Sequence, residues 1–291
     1  MAFVAPAGPL RGEQDVAAAL ANAELMEWEG VVGRHVLGRH GYHSATDDER
    51  LADLTWALTS PEVHGVWCLR GGYGVMRLLT RLPWHELAAR PRAVLGFSDV
   101  TALLAGMAAR SGTGGYHAPV ARNPLTEFSA NSMRRALHER AGSCGSFPSG
   151  ATLRPGRAAG PLVAANLALL TALCGTPYLP SLAGCLLVLE DVNEPAYRID
   201  RMLCQLRLAG ALEGVRGLVF GEFVNCAEQA DEDGARSLHD LFVELADELG
   251  VPCVAGAPVG HIDDQWTIPW GVAAELDATG LRLEVRDSDL A

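Results

Sequence analysis

The first 140 residues alternate short apolar runs with longer amphipathic segments. Apolar runs at 3–5, 63–69 and 93–96 predict buried strands, and the segment near 13–28 predicts a helix. Because strands and helices alternate, the pattern favours a parallel sheet covered by helices on both faces. We therefore predict an α/β fold for this half of the chain.

A second helix is predicted after Thr46. Thr46 precedes Glu49 by three residues, which is the pattern of a capping box. Leu51, Leu54 and Leu58 then recur at helical spacing, so they predict an apolar face that packs into the core.

The composition changes between residues 141 and 160, where five glycines and two prolines occur. Glycine and proline interrupt regular structure, so this stretch is predicted to connect an N-terminal domain (1–140) to a C-terminal domain (161–291). In the second domain the sequence predicts helices through 167–170, near 197–208 and near 237–249, strands at 185–189 and around 218–220, and a hairpin flanking 277–280. Strands and helices do not alternate strictly there, which predicts a smaller α+β or barrel-like domain.

Composition narrows the possible partners and location. The chain has 291 residues, a net charge of −12 and no run of lysine or arginine, which argues against binding to nucleic acid or an anionic membrane. The seven cysteines form no CxxC pair, which argues against a structural zinc site and favours a reducing compartment. No signal peptide is evident, and the longest apolar helix candidate, 162–174, is too short to span a bilayer. These features predict a cytoplasmic protein.

A serine lies between a predicted strand and a predicted helix. In Gly96-Phe97-Ser98-Asp99, a sharp turn would expose the Ser98 hydroxyl near the N-terminus of the helix, where free backbone N–H groups can stabilise an oxyanion. Val100 stands where a GxSxG elbow has its second glycine, and Ser98 is equally interpretable as a helix N-cap.

The segment Arg70-Gly71-Gly72-Tyr73-Gly74 follows another predicted strand. Its glycines suit either a nest of backbone amides close to a ligand or a tight turn with positive φ angles. The segment lacks the features of a Walker loop or a GxGxxG fingerprint. Arg70 is a candidate clamp for a substrate carboxylate.

The second half supplies a candidate acid and base. Glu190 follows a strongly apolar strand, and His261 lies in a glycine-flanked loop. A carboxylate that orients an imidazole, which in turn activates a hydroxyl, forms the triad of serine hydrolases. His117 is a competing base, and Asp263 with its neighbouring aspartate leaves a metal site as a minor alternative.

At these same points the chain resembles the LD-carboxypeptidases (muramoyltetrapeptide carboxypeptidases) and their relatives, the microcin C immunity peptidases. The similar segments lie in the family's order at 5–9, 70–74, 96–103, 175–178, 189–191, 197–203, 260–261 and 268–271.

The resemblance implies a Rossmann-like N-terminal domain that carries the nucleophile Ser98. It implies a swivelling, β-rich α/β C-terminal domain that carries Glu190 and His261, and backbone amides of Gly72 and Asp99 that form the oxyanion hole. It further implies a cytoplasmic homodimer that needs no metal or cofactor.

The substrate implied is the murein tetrapeptide, cut before its terminal D-alanine. Arg70, Gly71, His117 and Asn166 are the predicted substrate-binding residues. Two other hypotheses remain: a triad that cleaves the amide or phosphoramidate bond of a peptidyl-nucleotide, and an inactive module that binds peptides.

Two segments depart from the family pattern. Ala164-Ala165-Asn166-Leu167 stands where the family usually has Gly-Gly-Asn-Leu, and His117-Ala118-Pro119 stands where it usually has His-Gly-Pro. Each change adds a Cβ atom, which is expected to fill space near the cleft and to alter the fit of the substrate.

Overall fold

The computed structural model describes residues 1–139, 142–226 and 236–286. Its strands are β1 (Ala2–Val4), β2 (Val31–Val32), β3 (Gly65–Cys68), β4 (Ala93–Gly96), β5 (Tyr116–His117), β6 (Ala151–Arg154), β7 (Arg157–Asn166), β8 (Leu186–Val192), β9 (Gly217–Val224), β10 (Cys253–Ala255), β11 (Ile268–Pro269), β12 (Ala273–Asp277) and β13 (Arg282–Val285). Its α-helices are α1 (Glu13–Leu25), α2 (Asp47–Thr59), α3 (Trp84–Ala89), α4 (Thr101–Ser111), α5 (Glu127–Arg134), α6 (Leu167–Ala172), α7 (Ala196–Leu208) and α8 (Leu238–Leu249).

The first sheet has the strand order β11-β5-β4-β3-β1-β2, and all its pairs are parallel except β11 with β5. Side chains alternate between its two faces: Phe3 and Trp67 lie in one apolar cluster, with residues of α1 and α5, and Val4 and Val66 lie in another, with residues of α2 and α4. The predicted parallel sheet with helices on both faces is confirmed.

The strand order also locates a cleft. The chain leaves β1 toward β2 on one side and leaves β3 toward β4 on the other, so the loops that follow β1 and β3 diverge. In open α/β sheets, ligands bind at such a switch point, beyond the carboxyl ends of the strands. Residues 5–9 and 70–74 are these two loops.

Helix α2 begins as predicted. The Thr46 hydroxyl accepts from the Glu49 N–H, and the Glu49 carboxylate accepts from the Thr46 N–H, so the capping box is present. Leu54 and Leu58 are buried, and each such leucine stabilises the fold by about 1.5–3 kcal/mol. Arg50 lies on the same face and is also buried.

The second sheet has the order β13-β12-β7-β8-β9-β10-β6. Its four central strands, β7 to β10, are parallel, and β12, β13 and β6 add antiparallel edges. The predicted hairpin around residues 277–280 is formed by β12 and β13.

Part of the predicted connection belongs to this sheet. Residues 151–154 form β6, and 157–160 form the start of β7. Gly160 is required by close packing, since a Cβ atom there would overlap the Gly184 carbonyl oxygen. A glycine needed by such an approach has the same sequence signature as a glycine in a loop.

The two sheets are joined by more than this connection. Strand β11, from the C-terminal half, pairs with β5, so Ile268 lies opposite His117. The Trp270 indole N–H donates to the Ala164 carbonyl at 2.8 Å, and the Trp270 backbone N–H donates to the Gly115 carbonyl at 2.9 Å. The C-terminal half is thus fixed against the first sheet beside the cleft. Within the described ranges, no helix combines the length and apolar character needed to cross a membrane.

Candidate active site

Ser98 occupies a strained turn between β4 and α4. Its φ angle is 61°, in the left-handed region that costs a non-glycine residue on the order of 1–3 kcal/mol. A single 3₁₀ turn, Ser98–Val100, leads from it into α4. Ser98 is partly exposed, whereas Phe97 and Asp99 on either side are buried. The Ser98 side chain makes no capping bond to the helix, so the N-cap interpretation is not supported.

The glycine segment after β3 lies directly against this serine. A Cβ atom on Gly71 would be 2.8 Å from Ser98 Cβ, 2.9 Å from Ser98 Oγ and 3.5 Å from the Asp99 backbone nitrogen. Gly72 and Gly74 have φ angles of 116° and 137°. The segment therefore needs positive φ angles, as a tight turn does, and its main chain lies next to the Ser98 hydroxyl, whereas a nest of amides around a ligand stays a prediction.

Arg70, at the start of this segment, holds the neighbouring loop. Its Nη1 donates to the Pro9 carbonyl oxygen, and the Gly8 N–H donates to the Gly71 carbonyl at 3.0 Å. Burial, together with the positive charge of Arg122, lowers the pKa of the Arg70 guanidinium from its ordinary value, and the group stays charged. Arg70 thus joins the two diverging loops at the mouth of the cleft.

The predicted acid and base are in contact. Glu190 Oε2 lies 2.8 Å from His261 Nδ1. Glu190 is fully buried in β8, whereas 23% of the His261 side chain remains exposed. Gly260 permits the contact, because a Cβ atom there would lie 3.1 Å from Glu190 Cβ.

Phe97 connects this pair to the serine turn. The Phe97 ring packs edge-on against the His261 imidazole, with 4.7 Å between ring centroids. Since Phe97 immediately precedes Ser98, the contact brings the histidine loop of the C-terminal half to the turn that carries the hydroxyl. The structure thus gathers Ser98, Glu190 and His261 at one cleft.

Two hydroxyls of α5 anchor the loop that follows His261. Ser129 Oγ donates to the Asp263 carbonyl and accepts from the Gln265 N–H, both at 2.9 Å. Ser132 Oγ accepts from the Thr267 N–H at 2.8 Å. The loop that carries the imidazole is therefore fixed to the N-terminal half of the chain.

His117 is buried behind the site. Its exposed fraction is 0%, and neither ring nitrogen has a hydrogen-bonding partner of good geometry. Burial lowers the pKa of His117 to about 4, although nearby Glu190 and the Ala164 backbone oppose the shift. A neutral, enclosed imidazole is poorly placed to compete with His261 as the base.

Asn166 has a structural role at the end of β7. Its Oδ1 accepts from the Leu169 N–H and caps α6, and its Nδ2 donates to Asp191 at 3.0 Å. Burial raises the pKa of Asp191 to about 6. Asn166 is only 3% exposed, so its burial, like that of His117, gives no support to direct contact with a substrate.

The three alanines that replace family glycines are all enclosed. Ala118, Ala164 and Ala165 each have an exposed fraction of 0% and lie in apolar clusters. Their methyl groups pack in the core, and an effect of these alanines on the fit of the substrate stays a prediction.

Asp263 and Asp264, which were the basis for the alternative hypothesis of a metal site, are exposed. In the part of the chain that the structure describes, no three His, Cys, Asp or Glu side chains are grouped to hold a metal ion.

The sequence patterns did not reveal three features of the site. These are the buried Arg50, which donates to the Gly74 carbonyl; the Asp99 carboxylate, which accepts from the Val75 N–H; and the hydroxyls of α5. Arg50 precedes Leu54 by four residues and so falls on the apolar face of a predicted helix, which is a signal that sequence reasoning could have used. The roles of Ser129 and Ser132 depend on contacts across more than 130 positions, and no local pattern reveals them.

A partly exposed serine on a strained strand-to-helix turn, next to a phenylalanine that packs on a carboxylate-bound imidazole, is consistent with a serine-type hydrolase. The family models agree: the LD-carboxypeptidase N-terminal domain matches residues 1–118, and the LD-carboxypeptidase C-terminal domain matches residues 159–276. This chain belongs to the LD-carboxypeptidase family and is a serine-type carboxypeptidase.

Individual relatives cover nearly the whole chain. A carboxypeptidase-named protein of Streptomyces coelicolor is 41% identical, with 96% of this chain and 90% of that protein aligned. The murein tetrapeptide carboxypeptidase of Pseudomonas aeruginosa is 35% identical, over 97% of this chain and 94% of that protein. The crystal structure of muramoyltetrapeptide carboxypeptidase from Oxalobacter formigenes superposes with a TM-score of 0.87 at 29% identity and covers 99% of both chains.

Proposed function

We propose that this enzyme removes the terminal D-alanine of murein tetrapeptides by cleaving the preceding L,D-peptide bond. The observation that carries the proposal is the contact of buried Glu190 with partly exposed His261, 2.8 Å apart, and the packing of His261 on Phe97, which precedes Ser98. The names of the Pseudomonas and Oxalobacter relatives supply the substrate class.

In the proposed acylation step, Ser98 Oγ attacks the carbonyl carbon of the scissile bond while His261 Nε2 takes the hydroxyl proton. Glu190 Oε2 accepts a hydrogen bond from Nδ1–H of His261, which keeps Nε2 free to act as base and stabilises the imidazolium that forms. His261 then gives its proton to the departing D-alanine nitrogen, the C–N bond breaks and an acyl-serine remains.

Water completes the cycle. His261 takes a proton from the water as its oxygen attacks the acyl carbon, and it returns a proton to Ser98 Oγ when the ester bond breaks. In both steps the backbone N–H groups of Gly72 and Asp99 stabilise the oxyanion. A Cβ atom added at Gly71 would lie 2.9 Å from Ser98 Oγ and 3.5 Å from the Asp99 nitrogen, and this proximity supports the proposed role of the Asp99 amide.

Arg70 is the proposed partner of the terminal carboxylate. Its Nη1 is occupied by Pro9, but its other N–H groups have no hydrogen-bonding partner among the described residues. Arg70→Ala is therefore expected to raise KM by more than it lowers kcat. An unchanged KM would remove Arg70 from substrate binding.

The test is release of D-alanine from L-Ala-γ-D-Glu-meso-diaminopimelyl-D-Ala by the purified enzyme, with and without a chelator. The proposal expects release that resists the chelator and disappears in Ser98→Ala. A folded wild-type enzyme that releases none contradicts it. Aspartyl sulfamoyl adenosine is a second compound to test, because a solved structure of the related microcin C7 self-immunity protein holds it.

The cytoplasmic location and the homodimer remain predictions from family resemblance. Light scattering during size-exclusion chromatography tests the dimer: a mass near twice 30.8 kDa is expected, and a mass near 30.8 kDa would exclude it.

A further inference from the structure

Two buried charged side chains hold a single peptide unit next to the cleft. Asp99 Oδ2 accepts from the Val75 N–H at 2.9 Å, and Arg50 Nη1 donates to the Gly74 carbonyl oxygen at 3.0 Å. That N–H and that carbonyl belong to the same peptide bond, Gly74–Val75. Asp99 is 0% exposed and Arg50 is 2% exposed, so both contacts are shielded from water.

The same side chains connect this peptide to the rest of the site. Asp99 follows Ser98 directly. Arg50 Nη1 also donates to the Pro6 carbonyl, and Nη2 donates to Asp47 at 2.6 Å. The clamp, which we define as Arg50, Asp99 and the Gly74–Val75 peptide, thus connects α2, both diverging loops and the serine turn.

The glycine segment needs such a constraint. Gly72 and Gly74 have φ angles of 116° and 137°, and a glycine adopts many other φ angles just as readily. The segment itself therefore does not fix the direction of the Gly72 N–H. Catalysis by an oxyanion hole depends on donors held about 2.7–3.1 Å from the developing charge. Fixing both the carbonyl and the N–H of the Gly74–Val75 peptide restricts the freedom that the glycines introduce.

The arrangement is costly as a purely structural device. Charged groups lose hydration on burial, and well-packed apolar residues frequently stabilise a core as well as a buried ion pair does. Here Asp99 Oδ1 and Arg50 Nε are also buried without a hydrogen-bonding partner of good geometry. A role of the two charges in setting the geometry of the 70–74 loop explains why the fold retains these buried groups despite their cost.

We propose that Asp99 and Arg50 are positioning residues that hold the glycine segment 70–74, which includes the Gly72 amide proposed for the oxyanion hole, against the turn of Ser98 by fixing the Gly74–Val75 peptide. The role in turnover rests on the proposed function, whereas the clamp itself is a property of the fold.

The variants Asp99→Ala and Asp99→Asn separate the role of the hydrogen bond from that of the charge. Alanine removes the acceptor for the Val75 N–H, whereas the asparagine carbonyl keeps one. We expect Asp99→Ala to lower kcat for D-alanine release by on the order of 10²-fold with little change in KM, which is the scale of losing one oxyanion donor. Asp99→Asn is expected to recover most of that loss. Arg50→Lys, which keeps the charge but has fewer donors, should lower kcat in the same direction and serves if Asp99→Ala does not fold.

Asp53→Ala is the matched control. Asp53 lies in α2 and is also buried, with 6% of its surface exposed. It accepts from the backbone N–H of His35, at 2.8 Å, in a loop other than residues 70–74. It should reduce stability without changing kcat. An equal fall in kcat for Asp53→Ala and Asp99→Ala would overturn the positioning role.

Hydrogen exchange of residues 70–76, measured by mass spectrometry, tests the clamp without any substrate. Asp99→Ala should accelerate exchange in this segment, and Asp99→Asn should resemble wild type. Unchanged exchange together with unchanged kcat overturns the proposal. If the wild type cleaves no tetrapeptide but the segment still exchanges faster in Asp99→Ala, the proposed function fails and the clamp stands.

Discussion

The two halves of the site are held in different ways, one mainly by main-chain conformation and the other mainly by side-chain contacts. The serine half is made largely of main chain: a serine with φ of 61° and a glycine segment whose atoms leave no room for a side chain beside it. The other half depends mainly on side chains: Glu190 lies in β8, where the pairing with β9 shifts register between Leu189 and Asp191, and the Glu190 carboxylate holds His261.

This difference determines how each half fails. In the serine half, steric bulk and backbone conformation set the limits, so adding one carbon atom is a severe change. In the Glu190–His261 half, charge and hydrogen-bonding capacity set the limits, so a substitution of the same shape is severe. Each prediction below alters either the main-chain packing or a side-chain charge or hydroxyl, and leaves the other kind of constraint in place.

The largest effect is expected from removing the hydroxyl. Ser98→Ala and Ser98→Gly should both lower kcat by on the order of 10⁴- to 10⁶-fold, since neither can form the acyl-enzyme. Glycine accepts a φ of 61° without strain, so Ser98→Gly should melt at or above the wild-type temperature. Alanine keeps the Cβ atom and therefore the strain, so Ser98→Ala should melt at a lower temperature than Ser98→Gly. Equal melting temperatures for the two variants would show that the turn stores no strain.

A change of charge alone comes next. Glu190→Gln keeps the shape of the side chain but removes the charge that orients His261 and stabilises its imidazolium, so kcat should fall by on the order of 10³- to 10⁴-fold. Steady-state kinetics with the tetrapeptide measure this. A loss below tenfold would mean that the 2.8 Å contact only supports the fold.

The steric prediction concerns Gly71. Gly71→Ala places a methyl group 2.8 Å from Ser98 Cβ and is expected to lower kcat/KM by about 10²-fold as the turn shifts. Gly145→Ala is its control, because a Cβ atom there meets nothing within 4 Å. Near-normal activity of Gly71→Ala would show that the serine half tolerates movement.

The smallest effect is on stability and concerns pH. Burial raises the pKa of Asp99 to about 6, whereas an unfolded aspartate titrates near 3.9. The protonated carboxyl is thus favoured by folding, and this contribution is complete below pH 4 and is lost as the pH rises through 6. Relative to Asp99→Asn, the wild-type free energy of unfolding should fall by about 2 kcal/mol between pH 4 and pH 7. Urea titrations at both pH values measure the difference, and a pH-independent difference would contradict the raised pKa.

The sequence predicted features that depend on nearby residues. The Thr46–Glu49 capping box and strand β4 were found because their signals are contained within a few positions. The fold class followed from alternating strands and helices. Ser98, Glu190 and His261 were singled out because polar groups stood at strand ends and in glycine-flanked loops.

Features that depend on distant contacts were not predictable. Strand β11 has two residues and crosses to the first sheet, and Gly160 is fixed by a neighbouring carbonyl rather than by a turn. The burial of His117 and Asn166 likewise follows from the pairing of strands that are far apart in sequence. Local patterns singled out the residues of the proposed triad but not the residues that hold them in place.

The most direct test of one site formed from two unlike halves is the reaction of the enzyme with a fluorophosphonate, mapped by peptide mass spectrometry. The account predicts a single adduct on Ser98 in the wild type, formed at least tenfold more slowly in Glu190→Gln because the imidazole is no longer oriented. Labelling at another residue, or equal rates in wild type and Glu190→Gln, would contradict it.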